Sequence, residues 1–252
     1  MPKHEVINLQ PLTQQYVDQC PVEDGFHMRG MAMTRIEVFT DAAFAFAVTM
    51  LVISIDQIPR SIPELVAISK YIPAFVLSVA QMVFIWHNHS VWSRRFGLED
   101  SKTVFLSVAL VITVLVYIYP LKMMFEGFFS WISMGYLPSQ YDLNNYAELR
   151  LLFYYFAAGF LIICLLFIAM YRHALNLRTQ LLLRESEIYQ TQTNIKIRTV
   201  MAGVCVLAFI APALVPDSWV PFTGTIYALI WPLVAWTEKT RYQQWQQMNL
   251  GS

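Results

Sequence analysis

The feature that most constrains this chain is a series of apolar runs, each about as long as a bilayer is thick. A helix needs ~20 residues to cross the hydrocarbon core. Hydrophobic residues make up 57% of the chain and charged residues 13%, whereas soluble domains average about 25% charged. The sequence therefore predicts an all-α, polytopic membrane protein with six transmembrane helices. Hydropathy places them at about 37–56, 66–90, 103–125, 149–171, 199–215 and 219–237.

Two of the predicted connectors are long. Residues 126–148 are rich in aromatic side chains, which suits a segment that lies at the level of the lipid headgroups. Residues 172–198 are polar, and they predict that the fourth helix extends into water as an amphipathic stem. Residues 1–30 contain no long apolar run, so we predict a loosely ordered lead-in and no signal peptide. The expected parts are a cytoplasmic N-terminal tail (1–30), a six-helix transmembrane domain (31–240) and a cytoplasmic C-terminal tail (241–252).

Lysine and arginine are concentrated in alternate connectors, and an excess of these residues marks the cytoplasmic side. The opposite connectors hold Arg60, with Lys122 and Arg150 at helix ends. Both termini are therefore predicted to be cytoplasmic, which agrees with an even number of spans, and a cell membrane is the expected location. The basic residues on the predicted cytoplasmic side are Lys3, Arg29, Arg35, Arg94, Arg95, Lys102, Arg172, Arg178, Arg184, Lys196, Arg198, Lys239 and Arg241.

Composition and pattern argue against several classes of protein. A formal net charge of +0 does not favour a nucleic-acid partner, which usually requires a basic surface. The prolines in the spans show no paired symmetry of the kind typical of secondary transporters. The three cysteines are scattered, as expected for small buried hydrophobic residues. We therefore expect no enzymatic activity and no cofactor, and the weak enzymatic alternative rests on His87 and His89 beside Asp41.

A carboxylate heads the first span, since Asp41 precedes the apolar run Ala42–Ile55. A charge at the centre of a membrane helix costs roughly 2.5–3.5 kcal/mol on insertion scales, so such groups are normally paired or lie beside water. If residues 35–55 are helical, Arg35 and Phe39 share one face. We expect Arg35 to turn toward a polar group of a neighbouring helix, and Asp41 to accept hydrogen bonds from elsewhere in the bundle.

A second polar patch closes the second span with the residues Trp86-His87-Asn88-His89. Two histidines at i and i+2 point about 200° apart on a helix, whereas zinc sites on one helix use i and i+4. The favoured interpretation is a network of interhelical hydrogen bonds at the cytoplasmic membrane face, which would supply donors to Asp41. A metal site completed by other helices is the less favoured alternative, and we expect no metal.

The two patches together are similar to a known family. The run Arg35-x-x-x-Phe39-Thr40-Asp41 resembles the Arg-x-x-x-Phe-Ser-Asp signature of the transmembrane protein 175 family of potassium channels, with threonine in place of serine. The second patch resembles the histidine-rich end of that family's second helix. The resemblance covers about residues 30–237 and implies six helices with cytoplasmic termini. It also implies a homotetramer in a lipid bilayer, with the first helix of each subunit lining a pore for potassium ions.

The resemblance places the constriction five residues after the aspartate, at Phe46, followed by Thr49, Met50 and Ile53. Positions 46, 50 and 53 stand at i, i+4 and i+7, so they form one face of the helix, with position 49 on its flank. Spacing alone favours an ordinary packing surface, and the signature favours a pore lining. The usual isoleucine or leucine is replaced here by phenylalanine, and four phenyl rings can form a hydrophobic gate or fill the axis.

Two functions follow from this face. The first is a moderately potassium-selective channel, in which an apolar neck strips water from potassium at less cost than from sodium, and Thr49 hydroxyls replace part of the hydration shell. Proton permeation, attributed to lysosomal members of the family, is a further expectation from the resemblance. The alternative is a non-conducting structural homologue whose pore is plugged by Phe46.

Overall fold

A computed structural model of the protein describes residues 12–53, 58–141, 143 and 145–250. Within the described chain, five helices are long and apolar enough to cross a membrane, and a pair of helices bent by 47° makes a sixth when it is counted as one span. The prediction of an all-α membrane protein with six spans is confirmed. The elements are α1 (Gln14–Gln19), β1 (Val22–Glu23), β2 (Phe26–His27), α2 (Arg35–Ile53), α3 (Ile62–Ser69), α4 (Ile72–Phe96), α5 (Ser101–Ile132), α6 (Tyr146–Asn176), α7 (Glu185–Leu214), a 3-10 helix (Asp217–Leu229) and α8 (Ile230–Leu250).

The helix boundaries follow from local side-chain chemistry. Ser61, Asp100 and Asn145 accept hydrogen bonds from backbone N–H groups in the first turns of α3, α5 and α6, which satisfies donors that a helix start leaves without partners. Pro73 lies in the first turn of α4, where its missing N–H costs nothing. The second span therefore consists of two helices, α3 and α4, that meet at a bend.

The bundle places α2 at its surface. The α6 helix packs between α5 and α7, while α2 lies against α4 and α5. The inner side of α2 carries Thr40, Phe44, Ala47 and Leu51 at spacings of three and four residues, and all four are buried. One face of α2 is thus committed to the core of the single chain, and the opposite face is left outside it.

Three boundaries differ from those predicted. The α5 helix continues to Ile132, because nothing in the aromatic connector breaks it before Ser133. The fourth span ends at Asn176, so the polar stem belongs to the start of α7, where the Glu187 carboxylate accepts the backbone N–H of Arg184 at 2.9 Å. The last span begins as a 3-10 helix, and helix then continues through most of the predicted tail 241–252 to Leu250. Residues 54–56 of the first predicted span lie outside the described residues.

The prediction of a loosely ordered lead-in is wrong for residues 12–30. This segment contains α1 and a two-stranded hairpin, in which Val22 pairs with His27. The turn is Asp24-Gly25, and both residues have positive φ, 51° and 74°, as a tight hairpin turn requires. Residues 1–11 of the predicted tail lie outside the described residues. We call the described part, residues 12–30, the N-terminal segment.

The connectors of the bundle gather at two ends. Hydrogen bonds join the N-terminal segment to the end of α4, the end of α6 to the start of α5, and the start of α7 to α8. We call this end the basic end, because Arg94, Arg184 and Arg241 lie there. The start of α2 therefore lies at the same end as the N-terminal segment.

Candidate pore helix and its supporting network

The two faces of α2 differ sharply in exposure. Phe46 is 57% exposed and Ile53 is 64% exposed on the single chain, whereas Phe44 is 4% exposed. Thr49 is exposed with them, and Met50 is half-buried at the edge of the stripe. The four predicted pore residues thus lie on or beside the face of α2 that the rest of the described chain leaves uncovered. An uncovered apolar face on a membrane helix is suited to contact lipid, another subunit or a pore.

The Thr49 hydroxyl is oriented by its own helix. It donates a hydrogen bond to the Ala45 carbonyl oxygen at 3.0 Å. The hydroxyl hydrogen is therefore occupied, and the lone pairs of the oxygen remain available as acceptors. A ring of such oxygens can contact a cation.

Asp41 accepts a hydrogen bond from α4, as the sequence suggested, but the donor is neither of the two histidines. The Trp86 indole N–H donates to Asp41 Oδ1 at 2.7 Å. His89 is buried and lies 3.1 Å from the Ser107 hydroxyl of α5, while His87 is exposed. Among the described contacts, the donor to Asp41 is therefore Trp86 and neither histidine.

The patch at the end of α4 connects three other helices. Trp86 contacts α2, His89 contacts α5, and the Asn88 side-chain oxygen accepts a hydrogen bond from Arg198 of α7. Arg198 is buried, and its guanidinium lies 5.2 Å from the centre of the Phe167 ring. The sequence placed Asn88 in the polar patch and Arg198 among the basic residues of the cytoplasmic side, but it did not predict that the two side chains bond to each other.

The remaining signature residues occupy different environments. Thr40 is fully buried and its hydroxyl donates to the Ile36 carbonyl oxygen at 2.8 Å. A serine hydroxyl makes the same bond, so threonine at this position preserves the contact. Phe39 is exposed on the same side as Phe46. Arg35 is exposed, and it makes no hydrogen bond or ion pair with the described residues of its own chain, so the expected partner on a neighbouring helix is not found there.

Replacing Trp86 by phenylalanine is expected to destabilise the folded protein by about 1.5–3 kcal/mol, the usual contribution of a hydrogen bond to a charged group. The aromatic packing is largely retained, but Asp41 loses its indole donor. Thermal unfolding in detergent measures the effect. Trp231→Phe is the matched control, because Trp231 is 83% exposed. Equal unfolding temperatures for the two variants would contradict a supporting role for the Trp86 contact.

The basic end contains a buried charged cluster that sequence reasoning missed. The Glu187 carboxylate is fully buried and pairs with Arg29, whose Nη2 donates to Oε2 at 2.7 Å and Nη1 to Oε1 at 3.1 Å. The His27 backbone N–H donates to the same carboxylate at 2.8 Å, and the His27 ring nitrogen Nδ1 lies 3.0 Å from Oε1. The sequence signal nearest to this cluster was the Asp-Gly turn. It predicts a hairpin, but it does not predict which helix the hairpin packs against.

A second histidine also has an acidic partner at this end. His173 Nε2 lies 2.8 Å from Asp100 Oδ2, and the Thr103 hydroxyl donates to Oδ1 of the same carboxylate at 2.6 Å. Burial alone would raise the pKa of Asp100, but the hydrogen bonds from Thr103 and His173 bring that pKa below its usual value.

Among the described residues, no three histidine, cysteine, aspartate or glutamate side chains are close enough together to hold a metal ion.

The fold and the signature helix together define a class, the polytopic α-helical membrane channels, and sequence comparison identifies the family. The model of the family described as the endosomal/lysosomal potassium channel TMEM175 matches residues 35–120. A potassium channel of Marivirga tractuosa is 35% identical over 207 residues, which cover 80% of this chain and 82% of the relative. The chain belongs to the TMEM175 family of potassium channels, and the resemblance inferred from the sequence is confirmed.

A solved structure agrees with this assignment. The crystal structure of a variant of the potassium channel MtTMEM175, in complex with a nanobody–MBP fusion protein, matches with a TM-score of 0.77 and 28% sequence identity. The match covers 88% of this chain and 99% of that chain. The arrangement of the helices around α2 is therefore that of a TMEM175 channel.

Proposed function

We propose that this protein is a moderately selective potassium channel, a homotetramer in which the outer faces of four α2 helices line the pore. The observation that carries the proposal is the division of α2 into two faces, with Phe44 in the core and Phe46 outside it. A relative and a solved structure that match the chain are both described as potassium channels. A single helix cannot enclose a pore, so the uncovered face must meet copies of itself around an axis.

In this arrangement Phe46 forms an apolar neck and Thr49 a ring of hydroxyl oxygens one turn further along. An apolar neck discriminates by the cost of removing water from the ion, which is lower for potassium than for sodium. The Thr49 oxygens, with their lone pairs free, replace part of the lost hydration. Moderate selectivity is the expected result, since no ring of carbonyl groups or carboxylates lies on this face within the described range of α2, 35–53. We also propose that the pore passes protons. Proton flux can be measured in the liposomes that are used for potassium efflux, which are described below.

We place the basic end on the cytoplasmic side of a cell membrane. The positive-inside rule supports this orientation, because Arg94, Arg184 and Arg241 lie together at that end. The start of α2 and the N-terminal segment then face the cytoplasm.

The first expectation is a mass in detergent that corresponds to four chains. The measurement is light scattering combined with chemical crosslinking of the purified protein. Tetramers support the proposal because they supply the four α2 faces that the pore needs. A population of monomers alone would remove its basis.

The decisive experiment is potassium efflux from liposomes that contain the purified tetramer, with protein-free liposomes as the control. We expect efflux along a potassium gradient and a smaller flux for sodium under the same conditions. Tetramers that pass neither ion would favour the alternative, in which the fold is retained and four Phe46 rings close the axis.

A further inference from the structure

The N-terminal segment is fastened to α7 through a buried ion pair. Besides the two bonds to Glu187, Arg29 donates from Nε to the Leu181 carbonyl oxygen at 2.7 Å and from Nη2 to the Leu182 carbonyl oxygen at 3.2 Å. All of these acceptors belong to the start of α7 or to the loop before it. One guanidinium therefore holds the segment to α7 by several charge-assisted bonds, which are stronger than bonds between neutral groups.

A second anchor joins the same segment to α4. The Gly30 N–H donates to the Arg94 carbonyl oxygen at 2.9 Å. A Cβ atom at Gly30 would lie 2.5 Å from the Ser93 carbonyl oxygen and 2.9 Å from the Gly97 Cα atom. Both neighbours are backbone atoms that cannot rotate away. The backbones of the segment and of the α4 terminus are thus in direct contact, and the contact depends on the absence of a side chain at position 30.

Further contacts cover this joint. The Phe26 and Phe96 rings meet edge to face with centroids 5.4 Å apart, and the Arg95 guanidinium lies 5.0 Å from the centre of the Phe26 ring. Glu23 and Arg94 form an exposed ion pair at 3.0 Å. The N-terminal segment is therefore held at several residues between Glu23 and Gly30 and not only at one.

The joint lies very close to the start of α2. Residues 31–34 connect Gly30 to Arg35, and each residue of an extended chain spans at most about 3.6 Å. Thr34 is buried and its hydroxyl accepts the Glu37 backbone N–H at 3.1 Å, which caps α2. The five Cα–Cα steps from Gly30 to Arg35 keep the first turn of α2 within about 18 Å of the joint, so the joint limits where that turn can lie.

We propose that the N-terminal segment is a clamp that holds the start of α2 away from the pore axis and so keeps the basic-end mouth of the pore open. The α4 helix, which carries one of the two anchors, packs against α2, and the packed face of α2 is the one that carries Phe44 and not Phe46. Arg29 and Gly30 act as positioning residues, since neither lies on that face. This role at the mouth of the pore rests on the proposed function, which supplies the pore.

The clamp acts at the mouth and not at the neck. Phe46 is eleven residues beyond Arg35, which is about 16 Å along a helix. Loosening the clamp should therefore lower the fraction of time that the channel is open, because the four helix starts can move toward the axis. The choice between potassium and sodium, which the neck makes, should stay the same.

The test compares two glycine variants in single-channel recordings of the tetramer in planar bilayers. Gly30→Ala introduces a methyl group into the backbone contact, whereas Gly203→Ala makes the same chemical change at a position of α7 with no atom within 4 Å of the new Cβ. We expect Gly30→Ala to lower the open probability by roughly tenfold, with the potassium-over-sodium permeability ratio unchanged. Gly203→Ala should behave as the natural protein does. Equal open probabilities for the two variants would overturn the proposal.

Arg29→Lys is the second variant, for the case that Gly30→Ala does not assemble. Lysine keeps the charge opposite Glu187 but lacks the planar fork that reaches the two loop carbonyl groups. The same fall in open probability is expected. A change in ion selectivity with unchanged open probability would contradict a role at the mouth.

Amide hydrogen exchange of the tetramer in detergent tests whether the N-terminal segment holds the start of α2. This measurement does not depend on ion conduction. In Gly30→Ala and Arg29→Lys, exchange should become faster at residues 35–40 and stay constant at residues 44–52. If exchange does not change, the clamp is refuted. If the natural protein passes no potassium in liposomes, the proposed function fails and the role at the mouth fails with it. The exchange data then decide separately whether the segment holds α2.

Discussion

Replacing Phe46 by alanine is expected to raise cation flux through the channel and to move the potassium-over-sodium permeability ratio toward one. The change removes four phenyl rings from the proposed neck, so hydrated cations pass with less dehydration. A lowering of the barrier by about 1.4 kcal/mol would raise the flux about tenfold. Both quantities are measured in liposomes by efflux under opposing potassium and sodium gradients.

The matched control for this variant is Phe44→Ala. Phe44 is two residues away on the same helix but is buried against the bundle. Its truncation should cost about 3–5 kcal/mol of folding stability, as for other buried phenylalanines, and should leave the selectivity of assembled tetramers nearly intact. If Phe46→Ala changes neither flux nor selectivity, the outer face of α2 does not line the conduction path.

Replacing Glu187 by leucine is expected to be strongly destabilising, by about 3–5 kcal/mol. Arg29 would remain buried, with the exposed fraction of its side chain at 1%, but without the carboxylate that compensates its charge. Unfolding of the purified protein in detergent, followed by tryptophan fluorescence, measures the loss.

Two controls separate an unpaired charge from general damage. The double variant Arg29→Met with Glu187→Met removes both charges together, and it should be far less destabilised than Glu187→Leu alone, because no unpaired charge remains in the interior. Asp18→Asn breaks the exposed ion pair with Arg184, and it should cost at most about 1 kcal/mol. A double variant as unstable as the single one would show that shape and packing, and not charge, decide the stability of this site.

The sequence was sufficient for the spans because hydropathy is a local property that a run of ~20 residues carries by itself. The start of α2 at Arg35 follows in the same way, since the polar signature gives way to an apolar helix within a few residues. The fold class and the family could therefore be predicted without the structure.

What could not be predicted depends on contacts between distant parts of the chain. Arg29 and Glu187 are 158 positions apart, and Asn88 and Arg198 are 110 positions apart. No local pattern links such pairs. Within the patch on α4, the sequence identified a helix that supplies a donor to Asp41, but the choice of Trp86 depends on the rotation of α4 and on the length of the indole side chain.

The distance between Arg29 and Glu187 along the chain also sets an order of events during synthesis. At about 5–20 residues per second, the ribosome adds Glu187 roughly 8–30 s after Arg29. The first four spans are therefore synthesised before the carboxylate that receives the guanidinium exists. During that interval the newly made hairpin has no docking site for Arg29, and the beginning of the first membrane helix lacks one of its two anchors. Docking of the N-terminal segment on α7 can therefore be completed only after Glu187 has been made, although the segment itself is made early.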